Sequence, residues 1–193
     1  MKKIVLIGDS IRMGYQETVR QRLAGRAEVW APEENGGTSE NLLARLDEWA
    51  LSRPADVIHV NAGLHDLRKE FGCEDSAVPL PRYRENVRTL LTRLQEKTDA
   101  NVVWALTTPV NQDWHRANKP FDRFEADVAA YNAAALDVAR SMNIPVNDLF
   151  SAVDSVGRDT LLLPDGVHYK PEGYTLLGGI VADRILECLE CQP

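Results

Sequence analysis

Three residues in this chain have the types and spacing of a nucleophilic site. Asp165 and His168 stand three apart in Asp165-Gly166-Val167-His168, ahead of a helix that Pro171 opens. One turn of backbone can bring that carboxylate to one ring nitrogen, leaving the other free to take a proton from a serine hydroxyl. The serine is Ser10, at the end of Ile4-Val5-Leu6-Ile7-Gly8-Asp9-Ser10. The apolar run reads as a short buried strand, and Tyr15, Val19 and Leu23 follow at helical spacing. A hydroxyl at such a strand-to-helix turn faces outward. It lies near the unpaired N–H groups and the positive end of the helix, which suits a nucleophile that must meet negative charge. Taken alone, Gly-Asp-Ser reads as a helix cap, and a lone histidine in a glycine-containing loop as a surface residue. Taken together, the three residues favour covalent catalysis by Ser10.

A tetrahedral intermediate also needs hydrogen-bond donors for its oxyanion. The sequence offers the backbone N–H of Ser10, a backbone N–H at Gly36 and the side chain of His65. Glycine permits close approach of backbone to substrate; the adjacent Gly37 stays open as an alternative to Gly36. Asp66 fits a role in fixing its own loop, and Asn61 a structural contact at a strand end. The polar stretch 109–120 reads as a loop over the site or as a surface crossing. In the first case Trp114 and His115 are its substrate-binding residues.

These residues must be held by regular elements, and the chain supplies them in alternation. Strands are predicted at 4–7, 27–30, 56–61, 101–107 and 144–147, the last an edge strand because of Pro145. Helical faces follow: Leu42, Leu43, Leu46, Trp49 and Ala50, with Thr38 or Ser39 as cap; Tyr83, Val87, Leu90, Leu91 and Leu94; Phe124, Val128, Tyr131, Ala135, Val138 and Met142; and Tyr174, Leu177, Val181, Ile185 and Leu189. Gly178 and Gly179 weaken the last helix, and close packing on the sheet is their expected reason. The pattern predicts a single domain over 1–193, of α/β class. It would be a flavodoxin-like three-layer α/β/α sandwich on a five-stranded parallel sheet of order 2-1-3-4-5. Ser10, Gly36, His65, Asp165 and His168 all follow strands, so they should meet at the carboxyl edge of that sheet.

Composition narrows the partners. A net charge of −7, with scattered Lys and Arg, leaves no basic surplus for a nucleic-acid backbone. No stretch approaches the ~20 apolar residues of a membrane span. The apolar run near the N-terminus is too short for a signal peptide. Three cysteines, with Cys188 and Cys191 in a lone C-x-x-C, make neither a disulfide framework nor a complete zinc site. A reduced, cytoplasmic protein is expected; an exported protein whose signal has been removed would read the same way. The oligomeric state is not legible.

In order and spacing these residues resemble the SGNH, or GDSL-type, hydrolases. Gly8-Asp9-Ser10 is similar to their first motif, with Ser10 in the nucleophile position. Gly36, ahead of Gly37-Thr38-Ser39 and the Leu42, Leu43, Leu46 face, resembles the glycine of their second. Gly63-Leu64-His65-Asp66 corresponds to their Gly-x-Asn-Asp, and Asp165-Gly166-Val167-His168 to their Asp-x-x-His. The resemblance spans nearly the whole chain. It implies a flavodoxin-like fold and hydrolysis of esters, thioesters or acetylated sugars, with no metal and no cofactor. The chain departs from the family at His65, where an asparagine is usual. Imidazole Nδ1 has the reach of an asparagine amide; Nε2 reaches further and would shift the hole. The expected activity is a serine esterase on short-chain acyl esters, small-molecule or carbohydrate O-acetyl. The alternatives are a thioesterase or lysophospholipase of the same fold, a weakened ligand-binding module, and metal-assisted hydrolysis through His65, Asp66, Asp165 and His168.

Overall fold

Ile4 to Ile7 are apolar without interruption, which suits a strand covered on both faces rather than one. In the computed structural model, which describes residues 1–190, they form most of β1 (Lys2–Ile7) and are almost completely buried. The other strands are β2 (Ala27–Trp30), β3 (Val57–Val60), β4 (Lys69–Glu70), β5 (Asn101–Ala105), β6 (Phe121–Asp122) and β7 (Val146–Asn147). Five of them make one parallel sheet in the order β2-β1-β3-β5-β7. Counted within that sheet, this is the expected order 2-1-3-4-5, with the Pro145 strand at an edge. The two-residue strands β4 and β6 pair antiparallel in a separate ribbon, which periodicity could not have revealed at that length.

The helices are α1 (Ser10–Arg22), α2 (Ser39–Leu46), α3 (Leu80–Lys97), α4 (Gln112–Asn118), α5 (Glu125–Ser141), α6 (Leu149–Val156), α7 (Arg158–Leu161) and α8 (Pro171–Glu190). A π-helical turn over Asp47–Leu51 prolongs α2. Helices cover both sides of the sheet: α1 packs with α8, and α3 with α2 and α5. Tyr83, Val87, Leu90, Leu91 and Leu94 of α3 have no exposed surface, and each such side chain contributes about 1.5–3 kcal/mol by its burial. Thr38 caps α2, its hydroxyl accepting from Asn41 N. Ser39 is instead the first helical residue and is fully buried.

Two expectations need correction. The stretch 109–120 is no irregular loop: Asn111 caps α4 by accepting from Trp114 N at 3.0 Å. Gly178 and Gly179 owe their smallness to a helix, not to the sheet. A Cβ on Gly178 would lie 2.5 Å from Thr18 Cβ and 3.0 Å from Tyr15 O, both on α1, and one on Gly179 would meet Arg22. Cys191 of the C-x-x-C pair lies outside the described residues.

Candidate active site

The site begins at the turn between β1 and α1. Asp9 is the N-cap of α1, and its Oδ1 accepts from Ile11 N at 2.9 Å. The capping duty therefore falls on Asp9, and the Ser10 hydroxyl is left for another partner. Ser10 Oγ lies 2.9 Å from His168 Nε2, and His168 Nδ1 lies 2.6 Å from Asp165 Oδ2. Asp165 Oδ1 accepts from the N–H groups of His168 (2.9 Å) and Val167 (3.1 Å), so the carboxylate also holds its own turn. Burial works to raise the Asp165 pKa, but these three hydrogen bonds outweigh it and hold the carboxyl far below the usual carboxylate range. Lys119 Nζ adds a cation 3.2 Å from the same Oδ2. Ionised Asp165 can thus fix the Nδ1–H tautomer of His168, leaving Nε2 free to accept the serine proton.

Helix α4 is the scaffold of this turn. Gly166 adopts φ +71°, and any Cβ there would run into Asn111 O and the backbone of His115. The close approach lets Asn111 N donate to Gly166 O at 2.8 Å. His115 Nδ1 lies 3.1 Å from Asp165 O. His115 is wholly buried behind Asp165, so it supports the turn and cannot meet a substrate. Trp114 lines a separate cavity with Ala117, Leu162, Pro164 and Lys170. Neither side chain lines the cavity at Ser10.

That cavity, of about 190 Å³, is bounded by Ser10, Asn35, Leu64, His65, Lys119, Phe121, Arg123, Val167 and His168. Ser10, His65 and His168 therefore share one space at the carboxyl edge of the sheet. Burial depresses the His65 pKa; Asp9 pulls it up, while Arg123, Arg68 and His168 push it down further. Its ring is neutral at neutral pH and can donate from one nitrogen. The N–H of Ser10, first of its helix, has no acceptor among the described residues.

Gly36 departs from expectation. Its N–H is spent on Gly8 O at 3.0 Å, and a Cβ there would lie 2.6 Å from that same oxygen. Gly37 N–H is likewise spent, on Asn35 Oδ1 at 2.9 Å. The physical reason is docking: Gly36 lets the 32–37 loop sit directly on the nucleophile turn. Buried Arg12 ties the same pieces together, donating to Pro32 O (2.9 Å), Glu34 O (2.7 Å) and Gly8 O (3.4 Å).

Asp66 is buried, and its carboxylate accepts from the backbone N and hydroxyl of Ser39. Ser39 Oγ in turn accepts from Asn86 Nδ2 at 2.9 Å. The third loop is thus fastened to the start of α2 and to α3. Asn61 Nδ2 donates to Ala105 O, a structural contact between strand ends. His65, Asp66, Asp165 and His168 form no ligand cluster among the described residues. Arg12, Lys119, Phe121 and Arg123 carried no signal in the sequence, where they read as surface charges and one aromatic.

The sequence matches the GDSL-like lipase/acylhydrolase family over residues 6–176. No curated protein matches it. Among solved structures, it is similar to a lipase/acylhydrolase from Enterococcus faecalis at 25% identity and TM-score 0.80, covering 96% of this chain and 95% of that one. It is similar in fold to an acetylxylan esterase from Geobacillus stearothermophilus, at 18% identity and TM-score 0.78, covering 95% and 94%. Another acetyl xylan esterase follows at 17% identity and TM-score 0.76, covering 95% and 99%.

Proposed function

The chain belongs to the GDSL-like lipase/acylhydrolase family, and on that premise we propose that it is a serine esterase whose nucleophile is Ser10. The observation that carries this reading is the hydrogen-bonded row Ser10 Oγ, His168 and Asp165 Oδ2, at 2.9 and 2.6 Å. Ser10 Oγ attacks the ester carbonyl as His168 Nε2 takes its proton, and Asp165 stabilises the imidazolium that results. The oxyanion is held by the Ser10 N–H and by Nδ1–H of neutral His65. Collapse expels the alcohol, which receives the proton from His168. Water, deprotonated by His168, then attacks the acyl-enzyme, releasing the acid and restoring Ser10.

The substrate class we assign is short acyl esters, O-acetylated carbohydrates among them. The supporting observation is the size of the cavity at Ser10, about 190 Å³ between the apolar side chains of Leu64, Phe121 and Val167 and polar ones, which fits a short acyl group. That acetylxylan esterases share the fold is consistent with acetyl as the acyl group. All four steps use this chain's own side chains, so the proposed mechanism routes nothing through a metal.

The test is a panel of esters from acetyl to octanoyl, run with wild type and Ser10→Ala side by side. The proposal expects the best kcat/KM at the short end. It expects a loss in Ser10→Ala of about 10⁴-fold or more in kcat with the fold intact. A folded Ser10→Ala protein that still turns over would remove Ser10 as nucleophile, and a maximum at octanoyl would remove the substrate class.

A further inference from the structure

Arg123 is 6% exposed, yet it has no carboxylate partner within ion-pair distance among the described residues. Its Nε donates to Leu64 O at 2.6 Å, which fixes the guanidinium beside the loop that carries His65. The two terminal nitrogens have no hydrogen bond to the described residues, and they are not sealed from solvent. Arg123 lines the cavity of Ser10 and His168, so its unmet charge belongs to the wall of that cavity. Phe121 supports the group, with the Arg123 Cζ 5.0 Å from its ring centroid and Arg68 Cζ 4.0 Å from the same ring.

A buried guanidinium is costly unless its charge is met. The charges that face it do not meet it fully. Asp165 is engaged with His168 and Lys119, and Arg68 is paired with Glu70 and adds repulsion. Asp9 attracts it without contact. What remains is a planar fork of N–H donors, held by Leu64 and Phe121 in the wall of the ester site. That geometry matches a carboxylate, which takes two parallel hydrogen bonds from such a fork.

We propose that Arg123 is the specificity-determining residue of this cavity, and that the preferred ester carries a carboxylate that its terminal nitrogens bind. This rests on the esterase reading and narrows its substrate class. The carboxylate has two sources, the acyl part, as in a half-ester of a dicarboxylic acid, and the alcohol part, as in an acylated hydroxy or uronic acid.

Two matched pairs separate them. Monoethyl succinate against ethyl butyrate tests the acyl side, and para-acetoxybenzoate against para-acetoxybenzamide tests the alcohol side. The readout is the ratio of kcat/KM within a pair for one form of the enzyme, so a general loss of activity cancels. Wild type should prefer the charged member of one pair by about 10-fold or more, the usual yield of a hydrogen bond to a charged group. Arg123→Gln should bring that ratio close to one, and Arg123→Lys should keep part of it. The pair that responds identifies the source. No preference for either charged ester in wild type overturns the proposal, even if Arg123→Gln fails to fold. So does a preference that survives in Arg123→Gln, or an equal loss on both members, which would mark Arg123 as acting on the fold or on the ester carbonyl itself. Should wild type turn over none of the four esters, the esterase reading fails separately. Calorimetry with succinate then reads the anion site without turnover: heat in wild type that Arg123→Gln abolishes upholds it, and no binding overturns it.

Discussion

His65 occupies the position where the chain departs from its family, and its substitution discriminates most sharply between ways of holding the oxyanion. With the N–H groups of Gly36 and Gly37 both spent on acceptors inside the protein, the proposed hole rests on the Ser10 N–H and one ring nitrogen of His65. His65→Ala removes one of two donors and should lower kcat by roughly 10²–10³-fold, or about 2.7–4 kcal/mol of transition-state stabilisation. KM should change far less, because the bond strengthens only as the oxyanion forms. His65→Asn keeps a donor of equal reach and should retain substantial activity. The pH dependence then identifies the donor form. Burial lowers the His65 pKa and outweighs the pull of Asp9, so the ring donates as a neutral imidazole. Wild type and His65→Asn should therefore show the same kcat–pH profile across pH 7–8. The assay is initial-rate hydrolysis of an acetyl ester by wild type, His65→Asn and His65→Ala, each checked for its fold by circular dichroism. Wild-type kcat in folded His65→Ala would refute the donor role. A falling limb present in wild type and absent from His65→Asn would refute the neutral form.

Arg12→Ala takes the guanidinium from the carbonyls of Pro32 and Glu34, while Gly8 O keeps the Gly36 N–H; a stability loss of about 2–4 kcal/mol is expected, seen as a lower urea midpoint with an unchanged slope. His59 is wholly buried between the central strands and the α1 side, and burial pushes its pKa down from 6.5 to about 3. The unfolded chain therefore takes up a proton that the fold refuses. This contribution is full above about pH 6.5 and is lost at about 1.4 kcal/mol per pH unit as pH falls toward 3. Asp66 works in the opposite sense, since burial raises its carboxyl to about 6 and its contribution grows as pH falls from there toward 4; urea titrations of wild type and His59→Gln at pH 7 and 5 isolate the histidine, with a shallower loss expected in the variant. Gly178→Ala should lower Tm, because overpacking against Thr18 and Tyr15, at about 1–3 kcal/mol, outweighs a helix-propensity gain of about 1 kcal/mol; an unchanged or raised Tm would show that α1 and α8 can separate at no cost.

What was legible in the sequence was what depends on local pattern. β2 falls on Ala27–Trp30 as expected, because turn residues bound a short run. The Asp165-x-x-His168 pair was readable because its contact is made within one turn. The strand expected to reach Thr107 stops at Ala105, since Thr107 N donates not to a neighbouring strand but to the side chain of Asn132 at 2.8 Å. Helix α4 was missed because it is seven residues long and polar; its one wholly buried side chain is a histidine. The fate of the Gly36 N–H was beyond any sequence reading, because it is decided by an oxygen 28 positions away in the chain. Arg12 and Arg123 illustrate the same limit. An arginine in sequence reads as a surface charge, and only tertiary structure shows one clamping three carbonyls and the other lining the cavity at Ser10.

The central claim is that Ser10 is the nucleophile activated by His168, and covalent labelling with a fluorophosphonate tests it most directly. Peptide mass spectrometry of the labelled protein should find one adduct, on Ser10, whose extent rises in step with the loss of esterase activity. Labelling should fall sharply in His168→Ala, which keeps the hydroxyl but removes its base. An adduct on another residue, or full labelling of Ser10 without loss of activity, would contradict the account.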